Sequence, residues 1–130
     1  MSDKKLSILI VDDNEENREI LDRRLARLGY LTHAVGEGRS ALSALSNGHY
    51  DLVLLDIDMP IMDGMQTLKK IKADETLSSL PVIMLTAMEE KDIVLECMRS
   101  GACGYLTKPC DIKAVEQRIK SCTKAVEINV

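Results

Sequence analysis

The sequence predicts an α/β fold in which a doubly wound, five-stranded parallel sheet carries helices on both faces. Short apolar runs alternate with segments of helical periodicity along the whole chain, and the connections between them are only a few residues long. Such alternation indicates right-handed crossovers between parallel strands. The length of 130 residues, without a repeat or an internal linker, fits a single domain.

Five short runs rich in aliphatic residues are the strand candidates. The first is apolar apart from one serine, as expected for a strand covered on both faces, and the third contains only leucine and valine. The second is interrupted by a threonine and a histidine, the fourth follows Pro81, and the last is very short. The five runs are residues 6–11, 31–35, 52–55, 82–85 and 105–106.

Between these runs, apolar residues recur at intervals of three or four, which indicates amphipathic helices. We expect the first helix to begin at Asn14 and stop at Gly29, and the second to cover residues 39–46. The last helix should follow Asp111 as its N-cap and end near Lys124. The spacing is carried in turn by Leu21, Leu25 and Leu28; Leu42 and Leu45; Met65, Leu68 and Ile71; Val94, Cys97 and Met98; and Val115, Ile119 and Cys122.

Charge and aromatic content argue against several functions. The net charge is -4, from 21 acidic against 17 basic residues, and the chain has three Tyr but no Trp or Phe. Because nucleic-acid-binding domains need a basic face and often stacking rings, we expect no direct nucleic-acid binding. No run approaches the ~20 apolar residues that span a bilayer, and the N-terminus does not resemble a signal peptide. We therefore expect a cytoplasmic protein without a membrane segment.

The four cysteines are Cys97, Cys103, Cys110 and Cys122. None forms a C-x-x-C pair, and the two histidines lie far from them in the sequence, so a zinc site is not expected. A domain of this size can bury enough apolar surface without cross-links. We therefore expect four reduced thiols with structural roles.

Polar residues lie just after four of the strand candidates. Asp12 and Asp13 come after the first, Asp56 after the third, Thr86 after the fourth and Lys108 after the fifth. In a doubly wound sheet the functional crevice lies beyond the carboxyl ends of the strands, where the strand order reverses. We therefore expect these five side chains to converge on one edge of the sheet.

This set of side chains predicts phosphoryl chemistry beside a metal ion. Two carboxylates about 4 Å apart repel each other by on the order of 4 kcal/mol at an effective dielectric near 20. The single positive charge of Lys108 cannot balance the three carboxylates. A Mg²⁺ ion, which binds carboxylate, water and phosphate oxygens, would balance the remaining negative charge. Glycine-rich phosphate loops are absent, so nucleotide binding lacks support.

The same residues divide into a nucleophile, metal ligands and stabilising groups. Asp56 is the best nucleophile, since it is the lone carboxylate at the end of the most buried strand candidate, and it would form an acyl phosphate. Asp12 and Asp13 would hold the metal. Thr86 and Lys108 would stabilise the added phosphoryl oxygens.

Five short motifs, taken together and in order, resemble the receiver domain of two-component response regulators, and the resemblance covers the chain from residue 6 to about residue 122. Each is weak alone, and their joint order is what makes the resemblance specific. They are Asp12-Asp13; Leu54-Leu55-Asp56 and, after two intervening residues, Met59-Pro60; Met62-Asp63-Gly64; Leu85-Thr86-Ala87; and Gly101-Ala102 with Tyr105-Leu106 and Lys108-Pro109.

The resemblance implies a role for each acidic residue. Asp56 would accept a phosphoryl group from a histidine kinase or a histidine phosphotransfer protein, so the domain would be a regulatory phosphoacceptor and not an enzyme acting on separate substrates. Mg²⁺ would be bound by Asp13, by Asp56 and by the backbone carbonyl of Asp58, with Asp12 reaching the ion largely through water.

The resemblance also implies a fold, a switch and an output. The sheet would be flavodoxin-like with strand order 2-1-3-4-5, in a domain of residues 1–124 followed by a tail or the start of a linker at 125–130. Thr86 would move to bond the phosphoryl group, Tyr105 would rotate inward, and the Lys108–Pro109 bond would be cis. The output would be a downstream protein or a fused output domain, reached through residues 89–99, 104–106 and 111–120, and a dimer through the 89–120 face is a further expectation.

Three positions and three alternatives qualify the resemblance. Cys110 stands where the family often has Phe, and Asp58 and Met88 flank the expected route of hydrolytic water with opposed effects.

A phosphohydrolase of the haloacid-dehalogenase type would fit Asp56-x-Asp58, but the chain has no room for its cap. A phosphorylation-independent receiver is disfavoured because every expected site residue is present. A receiver that belongs to a longer protein remains open.

Overall fold

The chain folds into five strands and five helices that alternate along the sequence, in a computed structural model that describes residues 5–59, 63–87, 91–109 and 111–128. The strands are β1 (Ser7–Val11), β2 (Leu31–Val35), β3 (Leu52–Asp56), β4 (Val82–Thr86) and β5 (Gly104–Thr107). The helices are α1 (Glu15–Arg27), α2 (Gly38–Asn47), α3 (Gly64–Ala73), α4 (Lys91–Arg99) and α5 (Ile112–Ile128). Helix α5 thus continues past Lys124, where the spacing predicted its end.

The five strands form one parallel sheet in the order β2-β1-β3-β4-β5, which confirms the predicted fold class and strand order. The chain runs outward from β1 to β2 and then returns to β3 on the other side of β1. The order therefore reverses between β1 and β3, and a crevice is expected at their carboxyl ends.

Alternate residues of the strands enter two buried clusters, one on each face of the sheet. The α2–α4 cluster combines inward residues of the sheet such as Leu9 and Leu55 with residues of α2, α3 and α4. The α1–α5 cluster combines the intervening residues, such as Ile10 and Leu54, with residues of α1 and α5. Because the central strands are buried on both faces, they read as continuous aliphatic runs in the sequence.

The ends of helix α1 follow the predicted local chemistry with one exception. Asn14 caps α1 by accepting a hydrogen bond from the backbone N–H of Asn17, and Gly29 adopts a left-handed φ of 101° just after the helix. Leu28 was expected to share the inward face with Leu21 and Leu25, and this was wrong. Leu28 is the C-cap and is 45% exposed, because the helical twist has already ended there.

The prediction of four reduced cysteines was also wrong, because Cys103 and Cys122 form a disulfide. Cys103 precedes β5, and Cys122 lies on the inward face of α5, which returns along that strand. The Cα atoms are 6.0 Å apart although 19 positions separate the residues in sequence. Such pairing is a tertiary property that cysteine spacing alone does not reveal. Cys97 is a buried free thiol, and Cys110 lies outside the described residues.

A search of the described helices for a membrane span found none that is long and apolar enough to cross a bilayer.

Candidate functional site

The register of the sheet brings the acidic residues of β1 and β3 together. Val11, the last residue of β1, pairs with Leu55 of β3, so Asp12 and Asp56 are the next residues on neighbouring strands. Both are buried, at 2% and 1% exposure, whereas Asp13 is exposed. The carboxylates therefore lie at the predicted crevice, with two of them inside the protein and one at its surface.

Lys108 reaches this acidic pair from the end of β5. Its Nζ lies 3.0 Å from Oδ1 of Asp56 and 3.2 Å from Oδ2 of Asp12. The backbone holds the lysine in place, since its N–H donates to the carbonyl of Thr86 at 2.7 Å. The Lys108–Pro109 peptide bond is cis, as the resemblance implied. One ammonium group thus bridges the two buried carboxylates.

Backbone groups complete the partners of these two carboxylates. Oδ1 of Asp12 accepts a hydrogen bond from the N–H of Asn14 at 2.9 Å, and Oδ1 of Asp56 accepts one from the N–H of Asp58 at 3.1 Å. Each buried acid therefore has at least two donors. These bonds fix the orientation of both side chains before any ligand arrives.

The electrostatics of the site are dominated by burial. Desolvation raises the pKa of the Asp56 carboxyl from 3.8 to about 6; the hydrogen bond and the charge of Lys108 act against this rise, and the charge of Asp12 adds to it. Burial lowers the pKa of Lys108, but the hydrogen bonds and charges of Asp56 and Asp12 outweigh it and leave that pKa above 10.5. The lysine is therefore charged, and it does not fully compensate the acids.

Three carboxylates meet the requirements of a divalent cation. Oxygen atoms of Asp12, Asp13 and Asp56 all lie within 4.8 Å of one another. Ligands on opposite sides of a Mg²⁺ ion are about 4.2 Å apart, given bond lengths of about 2.1 Å. Three negative charges against one lysine leave a formal excess that a divalent ion would balance. The donor set therefore fits Mg²⁺, which prefers carboxylate and water oxygens.

The two residues predicted to act as a switch lie on the neighbouring strands. Thr86 ends β4 with 1% exposure and pairs in register with Thr107, the residue before Lys108. Tyr105, near the start of β5, is partly exposed and packs against the α2–α4 cluster. Asp58 is exposed, and Met88 lies outside the described residues.

Two residues that support the site were missed in the sequence. Arg18 of α1 donates from Nη1 to the backbone carbonyl of Asp12 at 2.8 Å, which fixes the turn that presents the acids. Gly64 begins α3 so close to β3 that a Cβ atom there would lie 2.2 Å from the carbonyl oxygen of Asp56. Gly64 belongs to the Met62-Asp63-Gly64 motif, and a glycine that opens a helix after a site strand is the signal that could have indicated this close approach.

A parallel, doubly wound sheet whose carboxyl edge gathers three aspartates and a lysine defines the class of aspartate-centred phosphoacceptor domains. The comparison with known families agrees with this class. Residues 8–120 match the response regulator receiver domain, so the chain belongs to that family, which serves as the phosphoacceptor of two-component signalling. This membership selects the receiver over the hydrolase alternative.

Individual relatives differ in how much of their length the chain covers. The chain is 43% identical over 105 residues to the regulatory protein AtoC of Escherichia coli, which is 81% of this chain and 22% of AtoC. It is 38% identical over 117 residues to the chemotaxis protein CheY-3 of Vibrio cholerae, covering 89% of this chain and 90% of CheY-3. The receiver domain of a signal transduction histidine kinase from Syntrophus aciditrophicus superposes with a TM-score of 0.85 at 34% identity, covering 93% of this chain and 92% of that one.

Proposed function

We propose that Asp56 is the phosphorylated residue of this receiver domain and that its donor is a phosphohistidine. The observation that carries the proposal is the position of the Asp56 carboxylate, which is buried, bonded to Lys108 and grouped with two further aspartates. No other described carboxylates form such a group of three. Small acyl phosphates should serve as donors too, because the receiver itself supplies the groups that the transfer needs.

The transfer needs few protein groups. A carboxylate oxygen of Asp56 forms a bond to phosphorus, the bond from phosphorus to the donor imidazole breaks, and its electron pair leaves on the imidazole nitrogen. An acyl phosphate results. Lys108 lies 3.0 Å from the attacking carboxylate, so its charge would face the phosphoryl oxygens on which negative charge accumulates. The backbone N–H of Asp58 keeps the carboxylate in the attacking orientation.

The metal ligands we propose are Asp13, Asp56 and the backbone carbonyl of Asp58, with Asp12 acting largely through water. Asp13 is the exposed member of the group of three acids and has room to turn toward an ion. Asp12 is already bonded to Lys108 and to the N–H of Asn14, which favours an indirect contact. When bound, Mg²⁺ supplies positive charge for the phosphoryl oxygens during transfer.

A cavity beside the acids offers a route for the donor. It has a volume of about 370 Å³ and lies between α1 and the segment that follows β5. Asp12 and Lys108 form its inner wall, and Ile20 and Ile112 provide apolar sides. Ile20 is 42% exposed, so a helix of a donor protein would find an apolar contact in the cavity that Lys108, the partner of Asp56, also lines.

We propose that Thr86 and Tyr105 form the switch of this domain. A phosphoryl group on Asp56 adds roughly -1.5 to -2 charge at neutral pH and new acceptor oxygens. The Thr86 hydroxyl would move to bond one of them, and the Tyr105 ring would fill the space that it leaves. Because these groups interact differently with the phosphorylated and free states, phosphorylation shifts the population between two conformations.

The output would pass through the face formed by residues 89–99, 104–106 and 111–120 to a downstream protein or a fused output domain, and a dimer through the 89–120 face belongs to the same proposal. We propose a receiver domain of residues 1–124, with 125–130 as a C-terminal tail or the start of a linker; helix α5 crosses this boundary and continues to Ile128. A cytoplasmic location remains a prediction.

The test is incorporation of phosphate from acetyl phosphate, followed by intact-protein mass spectrometry. We expect one phosphoryl group per chain with Mg²⁺ and none after chelation by EDTA. Asp56→Asn should abolish incorporation. Asp92→Asn, which removes an exposed carboxylate on α4, should leave it unchanged. Equal labelling of wild type and Asp56→Asn would refute the proposal.

A further inference from the structure

The disulfide between Cys103 and Cys122 joins the start of β5 to α5, and both elements contribute residues to the proposed output face. Cys103 stands directly before β5, and Cys122 lies in α5. The segment closed by the disulfide contains both Tyr105 and Lys108. The bond therefore links the strand that carries the switch tyrosine and the site lysine to the helix that covers it.

The two cysteine residues of the disulfide differ in solvent exposure. Cys103 is exposed, whereas Cys122 is 3% exposed and belongs to the α1–α5 cluster beside Ile119. Cys103 thus lies at the surface, whereas Cys122 lies in the core. This asymmetry suits a pair in which the outer thiol reacts first and the inner thiol resolves the product.

The packing of β5 against α5 keeps the pair aligned. A Cβ atom at Gly104 would lie 2.8 Å from Cδ of Arg118 on α5, so the helix and the strand are already in close contact one residue from Cys103. The N–H of Cys103 also donates to the carbonyl of Val82 at 2.8 Å. The strand and the helix therefore contact each other beside the disulfide as well as through it.

We propose that Cys103 and Cys122 form a reversible thiol–disulfide modification site whose oxidant is a low-molecular-weight disulfide such as glutathione disulfide. The Cys103 thiolate attacks one sulfur of the oxidant, which gives a mixed disulfide and releases one thiol. The Cys122 thiolate then attacks the Cys103 sulfur and releases the second thiol. Two protein thiols become one disulfide, and one oxidant disulfide becomes two thiols.

The consequence for signalling rests on the proposed phosphorylation of Asp56. The disulfide lies at the amino end of β5, and Lys108 follows its carboxyl end, so oxidation should leave phosphorylation itself unchanged. It should instead restrain movement of α5 relative to β5. Oxidised protein would then accept phosphate but respond to it less on the 104–106 and 111–120 segments.

The test equilibrates the full chain in glutathione buffers of graded redox ratio, then quenches the thiols and maps the disulfide by peptide mass spectrometry. We expect a Cys103–Cys122 bond that forms and is lost reversibly across the series. In the chain-entropy model a closed loop of this size lowers the unfolding equilibrium constant by about 200-fold. The unfolding of Cys103→Ser should match that of the reduced wild type and should not depend on the glutathione redox ratio. The unfolding of Cys110→Ser should still depend on that ratio.

Several outcomes would overturn the proposal: pairing through Cys110, a mixed glutathione adduct alone, or a bond that no glutathione ratio opens or closes. Hydrogen exchange of segments 104–107 and 112–122, with and without acetyl phosphate and Mg²⁺, tests the signalling consequence. A phosphate-induced change as large in the oxidised as in the reduced protein would refute the restraint. Failure of the reduced protein to take phosphate would refute the proposed function and leave the thiol result standing.

Discussion

The Nζ of Lys108 lies 3.0 Å from Oδ1 of Asp56, and this contact ties the carboxyl ends of β5 and β3 together. The lysine is the cation that the structure places against the buried acids, and it also contacts Asp12. The pair is therefore both a structural link across the site and the charge arrangement on which the proposed phosphorylation of Asp56 depends. Its two members should respond in opposite ways to substitution.

Replacing Lys108 by Gln should destabilise the metal-free protein by about 3 kcal/mol, because two buried carboxylates lose their cation. Urea denaturation in EDTA measures this loss. Lys113→Gln, an exposed lysine on α5, is the matched control and should change little. Adding Asp56→Asn to Lys108→Gln should recover much of the loss, and strictly additive effects would show that the two groups are not coupled.

Asp56→Asn should stabilise the metal-free protein, and the gain should grow with pH. The pKa of Asp56 is raised from 3.8 to about 6 by burial, so the folded state holds its proton where the unfolded state has lost it. Wild-type stability is therefore lost as the pH rises from about 4 to about 6, by up to about 3 kcal/mol.

The measurement compares the free energy of unfolding of wild type and Asp56→Asn in EDTA at about pH 4.5 and about pH 7.5, on either side of most of this transition. The variant should gain most at the higher pH. A difference between the two proteins that stays constant, or shrinks, as the pH rises would contradict the raised pKa.

Mg²⁺ should stabilise the protein through the three-carboxylate site. At a free concentration 100 times the dissociation constant, binding to the folded state adds about 2.7 kcal/mol, seen as a rise in thermal midpoint. Asp13→Asn should weaken this effect, since it removes an exposed ligand without disturbing the core. Glu16→Gln, an exposed acid in the first turn of α1, removes the same charge and should keep the response. Equal Mg²⁺ responses in the two variants would argue for nonspecific binding.

Gly64→Ala should displace the backbone of Asp56 and so disturb the site. The added methyl group would overlap the carbonyl oxygen of Asp56 at 2.2 Å and Cα of Ile57 at 2.6 Å, both backbone atoms that cannot move independently. We expect a loss of about 1 to 3 kcal/mol and slower phosphorylation by acetyl phosphate. At Gly48 an added Cβ would meet its nearest neighbour at 3.4 Å, so Gly48→Ala should affect neither property much. Similar behaviour of the two variants would contradict this account.

The fold and most of the site were predictable because both depend on local pattern. Parallel strands buried on both faces read as aliphatic runs, and the polar residue after each run marks the carboxyl edge of the sheet. Asp12, Asp13, Asp56 and Lys108 met there as predicted.

What the sequence did not reveal depends on contacts between distant segments. The Cys103–Cys122 disulfide needs the return of α5 along β5, and the support of Asp12 by Arg18 needs the packing of α1 against the end of β1. The preference of Lys108 for Asp12 and Asp56 over Asp13 follows from burial. Spacing alone carries none of this information.

The most direct test of the central claim locates the phosphate. After phosphorylation with acetyl phosphate and Mg²⁺, borohydride reduction converts a phosphorylated aspartate to homoserine, which tandem mass spectrometry assigns to a position. We predict homoserine at residue 56 in the wild type, dependent on Mg²⁺. Homoserine at Asp12, Asp13 or any other aspartate, with Asp56 unmodified, would contradict the account.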